Sequence, residues 1–112
     1  MGNDNYLKRS HLKKFGEIVD FQEPLGNKFF DYYHAVFEDG ALSKREKALI
    51  ALAVAHAQQC PYCIDAYTNA CLQEGADEAQ MMEAVHVAAA MKAGITLVFS
   101  VQMMEDVKKK TM

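Results

Sequence analysis

The stretch ALIALAVAHA, residues 48–57, limits what this chain can become more than any other segment. Wound as a helix it is apolar on almost every side, so it has no face to turn to solvent. No strand-period alternation persists elsewhere, and the chain holds only 2 prolines in 112 residues. The expected fold is therefore all-α, one domain over residues 1–112. A helix apolar all round is hard to bury inside so short a chain, because a small domain has much surface for its volume. The Ala-rich VAAAM and the pairs Met81-Met82 and Met103-Met104 add adaptable apolar surface. Part of it is expected to face other subunits, giving a homo-oligomer.

Local signals divide the chain. Residues 7 to 18 are expected to form a short helix with Leu12, Phe15 and Ile18 on one side. Pro24 suits the first turn of a second helix, which Gly40 ends. Ser43 and Glu46 match a capping box ahead of a helix to about Gln58. Pro61 opens the next, closing at Gly75. Asp77 and Gln80 suggest another cap pair, for a helix to about Ala93. Gly94 is expected to break it before a last amphipathic helix through Lys109.

Charge and termini narrow the partners. A net charge of -3 argues against nucleic acid, whose phosphates need a basic face. The basic run Lys108 to Lys110 more simply complements a helix dipole. The polar start MGNDNYLKRSH has no apolar signal core, and Tyr6 stands where a myristoylation signal wants Ser or Thr. The longest apolar run, Ala48 to Ala55, is far short of the roughly 20 residues that span a bilayer. These features point to a cytoplasmic protein with no membrane partner. In a reducing compartment, 3 cysteines with one close pair suggest redox or metal chemistry, not a disulfide scaffold.

That pair lies in CPYCIDAYT, residues 60–68. With Pro61 as first helical residue, Cys60 is the expected N-cap and Cys63 the third residue of the helix. Free N–H groups and the positive dipole end favour a thiolate there, with Cys60 the more acidic sulfur. Cys60, Cys63, Ile64, Tyr67 and Cys71 fall on one stripe, with the Tyr67 ring expected over Cys63. Cys71, two turns on, is too far for a disulfide and reads as a core residue. His56, four residues before Cys60, is the histidine placed to serve as base or proton shuttle. His86 reads as core or interface, while His11 and His34 carry no signal. Glu46 is taken up as a cap, and Asp65 as a first-turn acid. Zinc could use His56, Cys60 and Cys63, yet no fourth ligand stands at a recognisable spacing. Packing alone is the remaining alternative to a redox dithiol. No cofactor is called for.

LSKREKALIALAVAHAQQCPYCIDAYT followed by EAVHVAAAMKAG resembles the carboxymuconolactone decarboxylase / alkylhydroperoxidase-D-like family over roughly residues 25 to 105. The segments LKKFGEI, KFFDYYHAVFEDGAL and CIDAYTNACLQEGA resemble one branch, the arsenosugar-biosynthesis-associated peroxidase-like proteins. The resemblance implies an alkylhydroperoxidase-D-like helical fold assembled as trimers or hexamers. It also implies peroxide reduction at a CxxC dithiol, recycled by a dithiol reductant such as a lipoylated or thioredoxin-like protein. Cys60 and Cys63 fall on the family's redox pair, whose second cysteine is usually taken as the peroxide-reactive one. The family's relay histidine and glutamate are replaced here by Tyr67 and Ala48. The expected site is thus Cys60, Cys63, His56 and Tyr67. A lactone-acid decarboxylase, or a non-enzymatic thiol or metal-binding module, are the rival readings.

Overall fold

The computed structural model describes residues 9–112, so the start expected at residue 7 lies outside them. Helices α1 (Arg9–Leu12), α2 (Glu23–Phe37), α3 (Lys44–Ala57), α4 (Pro61–Gln73), α5 (Glu78–Val98) and α6 (Ser100–Thr111) follow in order. No strand occurs among the described residues. The expected first helix becomes α1 followed by a 3-10 segment, Lys13–Asp20. Gly16 in its middle weakens an α-helix, and the segment instead packs on α2 through Val19 against Gly26.

The two cap pairs form as their spacing requires. Ser43 Oγ accepts from Glu46 N at 3.1 Å while Glu46 Oε1 accepts from Ser43 N at 2.8 Å. Asp77 and Gln80 repeat the arrangement at α5. The other end of α5 differs from expectation: it runs through Gly94 to Val98. A lone glycine costs a helix only about 1 kcal/mol, too little to stop a long apolar run. The break falls at Phe99, where Ser100 Oγ donates to the Leu97 carbonyl.

The core lies where α3, α4 and the start of α5 meet. Ala48, Leu52, Cys71 and Ala76 form it, with Leu49, Tyr67, Ala70 and Met81 packed against it. Cys71 is 0% exposed, as a core cysteine should be. The all-round apolar helix keeps only one stripe inside: Ile50 and Val54 remain 51% and 54% exposed. On α5, His86, Val87, Met91 and Ile95 are exposed too, and so is Phe99 just beyond its end. The radius of gyration is 19.0 Å, where about 13 Å is usual for a compact chain of this length. Within Glu78–Thr111 an 18-residue portion reaches a mean hydropathy of 1.7, so the stretch passes by length and composition for one that could cross a bilayer. It is nevertheless two helices, and Lys92 Nζ donates from α5 to the Ala57 carbonyl ending α3.

Gly26 is the tightest approach. A Cβ there would lie 2.8 Å from Val19 Cα and 2.9 Å from its Cγ2. Gly26→Ala is expected to destabilise the chain by about 1–3 kcal/mol through overpacking, read as a lower denaturant midpoint.

Candidate functional site: a helix-capping dithiol

The turn between α3 and α4 is built from its hydrogen bonds. Gln59 N donates to the His56 carbonyl at 3.1 Å and Cys60 N to the Ala55 carbonyl at 3.0 Å. Gln59 sits at φ 55°, so this is a Schellman ending with a glutamine where glycine is usual. That left-handed residue costs about 1 kcal/mol or more, and it reverses the chain in one step. The end of α4 uses the same device with Gly75 at φ 83°.

The reversal delivers Cys60 as the N-cap of α4, with Pro61 as first residue. Its sulfur accepts the Cys63 backbone N–H at 3.3 Å. The two sulfurs are 2.9 Å apart and share a hydrogen bond. The Cys63 thiol hydrogen, the Cys63 N–H and the Tyr62 N–H all hold Cys60 below the ordinary thiol range. Cys63 goes the other way, to about 11, through burial, its hydrogen bond to Cys60 and the Cys60 charge. Of the two sulfurs, Cys60 is therefore the one that ionises first, with Cys63 left to hold the shared proton.

The other expected site residues are placed less directly. His56 Nδ1 donates to the Leu52 carbonyl at 2.9 Å. A carbonyl only accepts, so Nδ1 is the donor in this contact. Because α3 ends at Ala57, the imidazole stays on α3 and is not carried onto the helix of the sulfurs. The Tyr67 ring, expected over Cys63, stacks on Phe37 of α2 with centroids 5.5 Å apart. Charge on Cys63 helps to raise the phenols of Tyr33 and Tyr62, after the larger effect of their burial. Glu46 is spent in its capping box, which pulls its carboxyl below the usual range. Among the described residues no three His, Cys, Asp or Glu side chains converge as a metal site. Tyr33 escaped sequence reading because it comes from α2, some thirty positions from the sulfurs.

Known proteins resemble this chain in sequence and in shape. The profile of the Carboxymuconolactone decarboxylase family matches residues 23–106. "Uncharacterized protein 4 in cox locus" of Paracoccus denitrificans is 50% identical over 79 residues, covering 70% of this chain and 71% of that protein. A solved protein from Methanobacterium thermoautotrophicum superposes with a TM-score of 0.73 at 28% identity, over 77% of this chain and 97% of its own. A carboxymuconolactone decarboxylase family protein from Legionella pneumophila gives 0.68 at 27% identity, over 92% and 96%.

The sulfur assignment sets an order of labelling. As pH rises, Cys60 should react with iodoacetamide first, with a midpoint below the ordinary ~8.5, and Cys63 only well above it. Cys63→Ala removes a donor to the thiolate, so the Cys60 midpoint should move up. Mass spectrometry of labelled peptides reads both.

Proposed function

This chain belongs to the carboxymuconolactone decarboxylase family, and from that premise we propose that it is a dithiol-dependent, peroxidase-like oxidoreductase. The observation that carries the reading is the Cys60 sulfur, held as an N-cap 2.9 Å from Cys63. A stabilised thiolate beside a protonated second thiol is the arrangement that two-step peroxide reduction needs. The family also holds decarboxylases, whose lactone chemistry has no use for such a pair.

The steps balance with these two residues alone. The Cys60 thiolate attacks a peroxide oxygen, an S–O bond forms, and the O–O bond breaks to give a sulfenic acid and an alkoxide. The Cys63 thiol, 2.9 Å from Cys60, gives its proton to the alkoxide. The resulting Cys63 thiolate attacks the sulfenic sulfur, closing the disulfide and expelling hydroxide. Two electrons leave the sulfurs and the peroxide becomes an alcohol, or water. A dithiol reductant, lipoylated or thioredoxin-like, returns the pair to thiols. This route needs no separate relay, which fits a site where His56 is bonded to Leu52 and Tyr67 is stacked on Phe37. It makes Cys60 the attacking sulfur.

The reading includes a homo-oligomer. Val54, Val87, Met91 and Ile95 line an apolar groove of about 460 Å³ between α3 and α5, a face that further copies would cover. Sedimentation at micromolar concentration should report a multiple of the 12.5 kDa chain, and a monomer would count against it.

Cys60→Ser and Cys63→Ser should each abolish catalytic peroxide turnover with a dithiol reductant while leaving the oligomer intact. Cys63→Ser should still consume one equivalent of peroxide and stall as a sulfenic acid trapped by dimedone. Undiminished turnover in either variant would refute the mechanism.

A further inference from the structure

The last helix carries an apolar face that its own chain is not built to cover. Phe99, the single residue between α5 and α6, keeps right-handed helical dihedrals, φ -68° and ψ -19°. A helix that folds back on its neighbour needs a loop of about 2–5 residues, so α6 runs on from α5 as an arm. Glu78–Thr111 is 34 residues, about 51 Å of helix, and the molecule measures 61 Å along its longest axis. Among the described residues none of α6 is buried. Phe99, Met103 and Val107 recur at every fourth position and make one exposed apolar stripe. Asp106 borders that stripe and accepts from Gln102 Nε2 at 3.1 Å.

The groove between α3 and α5 has the complementary form. Ala53, Ala57 and Ala88 supply small side chains that let a helix approach closely, while Val87, Met91 and Ile95 wall it. Val87 to Ile95 spans about 12 Å along α5, and Phe99 to Val107 spans the same length of arm. Among the described lining residues Lys92 alone is charged. Its ammonium donates to the Ala57 carbonyl and keeps two further hydrogens.

We propose that the arm of one copy lies in the α3–α5 groove of a second copy, with its apolar stripe against Val87, Met91 and Ile95 and Asp106 paired with Lys92. The inference rests on the homo-oligomer read above and is independent of the dithiol chemistry. Anchors spaced by one helical turn are what a helix in a groove uses, and the opposite charges fix its register. Reciprocal exchange between two copies leaves neither an arm nor a groove open. A bilayer is the poorer occupant, because both charged side chains would lose their water there without gaining each other. The groove ends at Gln58, two positions before Cys60, so the neighbour's arm flanks the dithiol turn.

Two substitutions at exposed positions separate arm from groove. Met103→Asp puts a charge in the stripe, and Met91→Asp puts one in the groove wall. Each alone should weaken association roughly thirtyfold or more while the helical circular dichroism signal is retained. Mixed at micromolar concentration, the two variants should associate again, because the first keeps its groove and the second its arm. Sedimentation of the mixture should then report twice the 12.5 kDa chain through one intact contact. A mixture that stays dissociated would overturn the proposal. Normal assembly of Met91→Asp would overturn it too, by showing that arms pair with arms. Normal assembly of Met103→Asp would sink the arm and leave the homo-oligomer standing on another face. An unaltered chain that is monomeric, whether free or floating with phosphatidylglycerol vesicles, would remove the oligomer and this inference together.

Discussion

The hydrogen bond from the Cys63 N–H to the Cys60 sulfur holds the site together. Cys60 ends one helix and starts another: its backbone N–H closes α3 on the Ala55 carbonyl, and its side chain caps α4. The left-handed Gln59 makes both possible within one residue. Shifting that turn by one position would lose the cap and the sulfur–sulfur contact together. Chemistry and chain reversal share one set of atoms.

Around this turn the chain has little core to spend. Alanines, one leucine and Cys71 fill the space between α3 and α4, and the fully buried volume is small. Aromatic rings supply the rest of the cohesion: Tyr62 meets Phe15 at 5.9 Å, Phe15 meets Phe30 at 5.1 Å, and Phe37 meets Tyr67. Such pairs favour edge-on or offset geometry and fix orientation as well as area. They brace the dithiol from the α2 side, while Lys47 Nζ ties α3 to the Val36 and Glu38 carbonyls at the end of α2.

What could be read from the sequence was local. Both capping boxes, the Pro61 start and the Cys60 cap depend on contacts within four residues, so spacing alone reveals them. The core role of Cys71 follows from helical period in the same way. Gly94 misled because punctuation is weaker than a long apolar run. The 3-10 form of Lys13–Asp20 reflects its fit against Gly26, a partner that local pattern does not show. The setting of the Tyr67 ring was beyond reach for a similar reason, because its stacking partner Phe37 comes from α2.

The cap also has a consequence for the electron balance of the pair. A sulfur bound in a disulfide carries no negative charge and is a poor acceptor, so oxidation strips α4 of its best N-terminal partner. The folded scaffold thus favours the dithiol over the disulfide, beyond what two free thiols in solution would feel. Favouring the reduced form raises the reduction potential of the couple. Were the pair oxidised, the lost cap would make its disulfide the easier to reduce, and the helix would provide the pull.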